Sequence, residues 1–348
     1  MAADHILTYA QDLSGGGVER TQLRLAGAWL AAGRRVTLAI GDARGALAGE
    51  IPPGLEVVPL GDRRYWTQRR LAEMVPALAP DIVFCPGSHY TLAAAWLRWR
   101  LGEACPPIVA KLSNAVTRGD HGRAADAVHR LWLAQHGRFL DHLVAMTPAT
   151  AAQAARVTRM EGRTSVIPNP PAPRCDAPPS PLPPGRVVLG VGRLVPQKRW
   201  DRLIAAMPAL PEDVRLVILG EGELRPQLER QVHEAGLEAR VHLPGHVADP
   251  LAAMAAARVL ALPSDFEGVP GVLREALSVG TPVVTTPCSP SVREIVARPA
   301  LGSIVAADDP AGFAAQLTHW LDAPRPAPVP QPGTDSAARY LALFDRLT

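Results

Sequence analysis

The sequence predicts an α/β chain made of two doubly wound, parallel-sheet domains, and three observations carry that expectation. Short apolar runs rich in β-branched residues alternate with amphipathic stretches of helical period along most of the chain, the pattern of strand-helix-strand units whose sheets are covered on both faces. The proline-dense, nonperiodic stretch 164–186, TSVIPNPPAPRCDAPPSPLPPGR, interrupts that alternation midway and reads as an interdomain linker stiffened by polyproline conformation. Residues 258–286, RVLALPSDFEGVPGVLREALSVGTPVVTT, make one complete strand-loop-helix-strand unit.

In order, residues 5–10 read as a first strand, followed by the segment DLSGGGVER and an amphipathic helix from Val18 that carries Leu23, Leu25, Ala26, Trp29 and Leu30. A glycine-rich loop between strand and helix lets backbone amides approach a phosphate or sugar at the positive helix end. It is neither a Walker loop nor a GxGxxG fingerprint. Strands then follow at 35–40, 55–60, 81–85, 108–111 and 142–145, with helical stretches near 67–78, 90–101 and 123–138. The expected division is a first domain at 1–168, a linker at 169–185, a second domain at 186–333, and a C-terminal helix at 334–348.

The second domain opens with VVLGVGRLVPQKRWDRLI. Its strand ends in Gly192 and Arg193, and Lys198 precedes a helix carrying Trp200, Leu203 and Ile204, so both cations converge where a strand end and a helix start favour an anion. Lysine stands only at 111 and 198 beside 34 arginines; Lys198 therefore reads either as a required compact ammonium or as chance. Residues 216–219 and 240–243 are strands, with a helix at 223–235 between them and the turn Pro244-Gly245-His246-Val247 after the second. In the central unit, Val259–Leu262 and Pro282–Thr285 are strands, Pro270 suits the first helical turn, and Gly280 suits a left-handed C-terminal cap. Glu267 and Glu275 either face one pocket, or are a solvated loop acid and a residue complementing the helix dipole. Ser291 and Glu294 have capping-box spacing.

The run SDFEGVPGVLREALSVGTPVV resembles the E-x7-E region of family 4 glycosyltransferases, with Ser264, Glu267, Gly268, Pro270, Glu275, Ala276, Gly280, Pro282 and Val283 all in place. The resemblance implies the GT-B architecture: two Rossmann-like doubly wound domains facing a cleft, the first on the acceptor side, with the C-terminal helix crossing back onto it. Three further stretches are similar to family motifs. The GG-x-E-R loop is matched by Gly16, Gly17, Glu19 and Arg20, the diphosphate clamp by Arg193 and Lys198, and the base-holding G-x-V turn by His246 and Val247. The resemblance thus implies Glu267, Arg193 and Lys198 as catalytic residues. For donor binding it implies Gly16, Gly17, Arg193, Lys198, His246, Val247, Glu267, Gly268, Val269 and Glu275. Two departures stand out. Lys111, Ser113 and Asn114 occupy the strand end where family members carry a sugar-contacting histidine, leaving His121 either as a substitute or as a surface residue, and Ser289-Pro290-Ser291 replaces a Gly-Gly loop.

What the resemblance implies is transfer of a sugar, with retention of configuration, from a UDP- or GDP-linked donor to a glycan or lipid-linked acceptor of cell-envelope polysaccharide or lipopolysaccharide synthesis. Arg193 and Lys198 would stabilise the departing diphosphate, Glu267 would contact the donor sugar, and Glu275 would bind ribose hydroxyls. No D-x-D motif occurs, so neither a metal nor another cofactor is expected beyond the donor itself. A nucleotide-sugar epimerase of the same architecture and a catalytically silent nucleotide-sugar-binding protein are the alternatives.

Composition bounds the rest. The 348 residues suffice for two separate cores. No apolar run approaches the roughly 20 residues that span a bilayer, and the first residues lack a charged leader followed by an apolar core, so a cytoplasmic protein is expected. Cys85, Cys105, Cys175 and Cys288 are scattered without metal or disulfide spacing. With a net charge of +3, no nucleic-acid partner is expected. The basic excess lies in the first half, where residues 1–170 hold 19 Lys and Arg against 14 Asp and Glu; the remainder holds 17 against 19. There, Arg63, Arg64, Tyr65, Trp66, Arg69 and Arg70, and Trp96, Arg98, Trp99 and Arg100, interleave aromatics with arginine. They read either as a peripheral contact with the inner face of a membrane or as ordinary amphipathic helices with arginine outside.

Overall fold

The computed structural model describes residues 2–14, 16–113, 122–172, 182–247 and 249–348. Its strands are β1 (His5–Asp12), β2 (Arg35–Asp42), β3 (Glu56–Pro59), β4 (Ile82–Cys85), β5 (Ile108–Lys111), β6 (His142–Ala145), β7 (Thr164–Val166), β8 (Arg186–Val191), β9 (Val214–Leu219), β10 (Val241–Gly245), β11 (Val259–Leu262), β12 (Val283–Thr285) and β13 (Gly302–Ile304). Its helices are α1 (Gly17–Ala31), α2 (Leu71–Leu78), α3 (Thr91–Leu101), α4 (Arg123–Leu133), α5 (Pro148–Thr158), α6 (Trp200–Ala206), α7 (Arg225–Glu234), α8 (Leu251–Ala256), α9 (Gly271–Ser278), α10 (Val292–Ile295), α11 (Pro310–Asp322) and α12 (Ser336–Phe344). By internal packing the chain divides into two units, residues 1–170 with 332–348, and residues 171–331.

In the first unit the sheet order is β3-β2-β1-β4-β5-β6-β7, and in the second it is β10-β9-β8-β11-β12-β13. Every neighbouring pair is parallel. Parallel strands need crossover helices, which cover both faces and explain the continuous apolar runs. The alternation is visible within single strands of the first unit. Leu7, Val83 and Ile108 join one core cluster with Leu71 and Leu97, while their neighbours Ile6, Phe84 and Val109 join the opposite one with Trp29 and Phe344. The second unit has one large cluster built on β8, β9 and β11, and Trp200, Leu203, Leu273 and Leu317 lie in it.

The expected α/β doubly wound architecture holds, and two local readings need correction. Residues 164–166 do not belong to a linker: they form β7, whose Leu143↔Thr164 and Ala145↔Val166 pairings extend the first sheet beyond β6. A three-residue edge strand is too short to show a period, and the prolines behind it masked it. Ser291 precedes α10, but its side chain makes no cap bond; its hydroxyl pairs with Ser289 Oγ at 2.9 Å instead. Elsewhere Pro270 caps α9 from just outside, and Gly280, two residues past that helix, takes the expected left-handed φ of +73°.

The last helix completes the core of the first unit. Trp29 of α1 meets Phe344 at 5.3 Å and Tyr340 at 5.9 Å between ring centroids, edge to face, and Phe84 of β4 meets Tyr340 at 5.3 Å. Such contacts add to the area these rings bury. Polar ties hold the ends: Ser336 Oγ donates to Pro168 O at 2.6 Å, and Arg34 pairs with Asp345 at 2.9 Å. The Tyr340 hydroxyl is buried without a hydrogen-bond partner among the described residues. Urea unfolding therefore separates two effects. Phe344→Ala is expected to destabilise the protein by about 3–5 kcal/mol. Tyr340→Phe, which removes an unsatisfied buried group, is expected to stabilise it by about 1 kcal/mol; a loss instead would mean that the hydroxyl is satisfied in solution.

Candidate functional site

In the second sheet β8 lies between β9 and β11, so the chain leaves β8 toward one side while β11 occupies the other. This reversal opens a crevice at the carboxyl ends of the two strands. Two loops border it, 192–199 after β8 and 263–270 after β11. The first is shaped by small residues. Gly192 adopts φ +153°, and a Cβ there would stand 3.1 Å from Lys198 Cε and 3.3 Å from the Trp200 ring, so glycine lets the lysine stem lie against the strand end. Trp200 Nε1 donates to Arg193 O at 2.9 Å, which fixes the backbone that presents Arg193.

Across the crevice mouth, Lys198 Nζ meets Glu267 Oε1 at 2.7 Å, with side chains only 14% and 12% exposed. Burial of an ion pair is tolerable only if further donors complete the carboxylate, and two do. Ser264 Oγ donates to Glu267 Oε1 at 2.9 Å, and Gln197 Nε2 reaches Oε2 at 3.4 Å. The loops are also laced by their backbones: Asp265 N donates to Gln197 O at 3.0 Å, and Gln197 Nε2 to Phe266 O at 2.7 Å. Below them Asp265 pairs with Arg202 at 2.6 Å and Arg199 at 3.2 Å. Arg199 holds a left-handed φ of +51°, a strained conformation for a side-chain-bearing residue, and its guanidinium spans Asp201 and Asp265. Hydrogen bonds to Asp201 hold that guanidinium's pKa above the usual arginine range. Arg193, by contrast, is exposed, and among the described residues its side chain has no ion pair.

The crevice thus gathers Arg193, Lys198 and Glu267 with a positive balance and one uncommitted guanidinium. Gly268 and Val269 continue the same loop, half-buried, and Ser289 Oγ donates to Gly268 O at 2.5 Å. Hence the Ser-Pro-Ser segment that departs from the Gly-Gly pattern braces this loop. Cys288 O accepts from Glu267 N at 2.7 Å, and burial pushes its thiol up to about 12, which leaves it inert. Glu275 lies half-buried on α9, away from the Lys198–Glu267 pair by sequence but on the helix that opens behind Pro270. His246 is exposed and Val247 half-buried just past β10, where Gly220 N donates to Gly245 O at 2.8 Å. Arg199 and Arg202 escaped notice, as did the bracing role of Ser289, because these roles appear only when distant loops meet.

At the corresponding edge of the first sheet, Gly16 is the extended N-cap of α1 and Gly17 its first residue. The space above Gly16 is filled by the helix's own acid, since a Cβ there would lie 2.3 Å from Glu19 Oε2. Glu19 Oε1 in turn accepts from Tyr90 OH at 2.9 Å, and Arg20 is engaged by Glu50 at 2.9 Å. Lys111 is 2% exposed and donates to Asn169 Oδ1 at 3.3 Å; burial pushes its ammonium down to about 8. Ser113 and Ser88 exchange backbone-to-hydroxyl bonds at 3.1 and 3.2 Å, tying β5 to β4. Asn114 and His121 lie outside the described residues. Among the described residues no cluster of His, Cys, Asp or Glu could hold a metal ion, and no helix is long and apolar enough to cross a membrane.

Comparison with known proteins adds to this geometry. Residues 15–171 match the family model described as Glycosyltransferase Family 4, and residues 185–323 match that described as Glycosyl transferases group 1. The chain is 37% identical over 124 residues to the Campylobacter jejuni N-acetylgalactosamine-N,N'-diacetylbacillosaminyl-diphospho-undecaprenol 4-alpha-N-acetylgalactosaminyltransferase, covering 36% of this chain and 34% of that protein. It is 37% identical over 100 residues to the lipopolysaccharide core biosynthesis glycosyltransferase LpsE of Rhizobium meliloti, covering 29% of each. The chain thus spans about a third of the length of the curated relatives it matches. Among solved structures, Anabaena HepE in complex with UDP and glucose superposes with a TM-score of 0.73 at 20% identity, over 98% of this chain and 95% of that one; this likeness is one of fold.

Two measurements test the electrostatics of the site. Lys198→Met strands a carboxylate that is 12% exposed and is expected to cost about 3–5 kcal/mol, most of it recovered when Glu267→Gln is added. Additive losses in that double-mutant cycle would show that the pair is not coupled. Lys111 binds protons less readily folded than unfolded, so its burial opposes folding at neutral pH and the penalty fades as pH rises from about 8 toward 10.5. Accordingly Lys111→Met should be more stable than wild type by about 3 kcal/mol at pH 7, and the gap should narrow through that window. A pH-independent difference would refute the assignment.

Proposed function

Because this chain belongs to the family 4, group 1 glycosyltransferases and has their GT-B fold, we propose that it transfers a hexosyl group from a nucleoside-diphosphate donor to a lipid-linked or lipopolysaccharide-type acceptor, retaining configuration. The observation that carries this reading is the Lys198–Glu267 pair beside Arg193, which has no ion pair among the described residues, at the switch point of the second sheet. Departure of a nucleoside diphosphate builds negative charge on the leaving oxygens and positive charge on the sugar ring. Arg193 supplies a planar fork for the diphosphate from a backbone fixed by Trp200, and Lys198 a compact charge held in place before reaction. Glu267, fixed by Ser264 and Gln197, meets the growing ring cation, while Gly268 and Val269 line the sugar's path. Glu275 binds the ribose, and His246 and Val247 contact the base.

The two cations take the part that a metal plays in other sugar transfers. Gly16 and Gly17 are donor contacts on this reading; with Glu19 folded over Gly16, this helix end suits a hydroxyl better than a phosphate. The relatives support the acceptor class: one is named for a diphospho-undecaprenol-linked acceptor and another for lipopolysaccharide core synthesis. HepE, seen with UDP and glucose, supports a nucleotide-sugar donor. On this reading the protein works at the inner face of a membrane.

The test titrates UDP- and GDP-sugars by calorimetry and follows nucleoside diphosphate release with and without lipid extract. Release should be stimulated by extract and unchanged by a chelator. Lys198→Ala should lower kcat/KM about 10²–10³-fold. Ser264→Ala, which only loosens Glu267, should lower kcat about tenfold with little change in donor affinity. Donor converted to an isomer without acceptor would point to an epimerase, and failure to bind any nucleotide sugar would refute the clamp.

A further inference from the structure

The two strands at one end of the first sheet run into the same five-residue pattern. β2 leads into Ile40-Gly41-Asp42-Ala43-Arg44, and β3 into Leu60-Gly61-Asp62-Arg63-Arg64. Leu60 N donates to Ile40 O at 2.7 Å, so the two copies lie side by side at the carboxyl edge. Each aspartate accepts the amide two residues on, Asp42 from Arg44 N at 3.0 Å and Asp62 from Arg64 N at 2.7 Å. Gly41 lets the copies close up, since a Cβ there would stand 2.3 Å from Asp62 O. Gln11 Nε2 fixes the second copy by donating to Arg63 O at 2.7 Å.

Between the copies opens a cavity of about 630 Å3, within the size range of small-ligand sites. Its ionic lining is two of each sign, Asp42 and Asp62 against Arg44 and Arg63. Arg44 meets both oxygens of Asp42 at 2.9 Å, and Arg63 faces the same carboxylate at longer range. Arg63 forms no ion pair among the described residues. Asp62 faces Arg64, and its Oδ1 accepts from Arg64 N and Thr67 Oγ1, while its Oδ2 accepts no hydrogen bond among the described residues. Val57, Pro59 and Ala43 supply an apolar wall. A phosphate or carboxylate would find every arginine here already facing a carboxylate. A neutral sugar ring uses each part of the lining: its hydroxyls donate to a carboxylate and accept from a guanidinium, and its C–H face lies on the apolar wall.

We propose that this cavity is a subsite for a neutral sugar of a glycan acceptor, one lying beyond the sugar that receives the transferred group. The inference rests on the transferase reading and deepens it, because it makes the acceptor an oligosaccharide. Its place in the fold supports this. Leu47 N donates to Leu13 O at 3.0 Å, and a Cβ on Gly45 would stand 2.3 Å from that same oxygen, so the loop walling the cavity is packed on the loop leading to Gly16. The cavity is one to two strand spacings, about 5–10 Å, from the end of β1, the span of one or two sugar units.

The test uses the full chain with no sugar nucleotide present. Saturation-transfer NMR is run with the neutral disaccharides maltose, lactose, cellobiose and diacetylchitobiose, and with glucose and glucose 6-phosphate. At least one disaccharide should receive saturation, and glucose 6-phosphate should do no better than glucose. Ala43→Trp, which fills the cavity, should abolish the transfer. Asp62→Asn with Arg63→Gln, which keeps the turn but removes both charges, should weaken binding at least fivefold. Circular dichroism and donor binding should match wild type in both variants. With donor and lipid extract, Ala43→Trp should raise the extract concentration for half-maximal nucleoside diphosphate release at least fivefold and leave the maximal rate unchanged. The inference is overturned if no disaccharide receives saturation, if Ala43→Trp binds as well as wild type, or if glucose 6-phosphate is preferred. Release at an unchanged extract requirement in Ala43→Trp would also overturn it, while leaving the transferase reading intact. Disaccharide binding at the cavity by a protein that turns over no donor would strike the transferase reading and leave the subsite standing.

Discussion

A carboxylate and an ammonium, mostly withdrawn from water at the reversal point of a parallel sheet, set the terms for the second half of this molecule. Taking Lys198 and Glu267 out of solvent is costly for each alone, so the protein must hold both loops closely enough that Coulomb attraction and added hydrogen bonds offset the loss. The Asp265 N to Gln197 O bond, the Arg199 and Arg202 contacts to Asp265, and the Ser289 brace on Gly268 all serve that registry. Even the strained backbone at Arg199 is understandable in this light, since its guanidinium is the crosspiece between the two loops. A site so tied does not have to assemble when a ligand arrives.

The two halves handle their strand-end glycines differently. After β8, Gly192 makes room for a lysine, and the result is a positive edge. After β1, Gly16 makes room for Glu19, and the helix end is faced by its own carboxylate. The same local device thus yields opposite electrostatics in two units of the same topology. A buried lysine, Lys111, compounds the contrast: its charge is spent on Asn169 inside the first unit and not displayed at the edge.

Much of this was legible in the linear chain. Apolar runs such as Val259–Leu262 and Ile108–Lys111 are strands at the expected bounds, because burial on both faces leaves a signal that does not depend on neighbours. The E-x7-E stretch and the clamp motif carried the family. What stayed hidden was long-range. Glu19 was visible as part of a motif, but not that it folds back over Gly16. Ser291 and Glu294 had the spacing of a local cap, yet Ser291 turns to Ser289, whose own hydroxyl is held by Gly268 O on the distant loop. The strand β7 was lost among prolines because three residues cannot display a period, and its pairing with β6 depends on the whole sheet. The lone hydroxyl of Tyr340 leaves no trace in sequence at all.

The placement of α12 bears on how the molecule is made. Residues 171–331 are continuous, so that unit has all its parts as soon as they have left the ribosome. The other unit does not: Tyr340 and Phe344 close over Trp29 and Phe84, yet they are synthesised after the entire intervening unit. Until then the nascent chain carries a sheet with one aromatic face bare, the kind of transient surface that invites chaperones or misassembly. Order of synthesis and order of completion are therefore reversed, and the first strands to appear are among the last to be sealed.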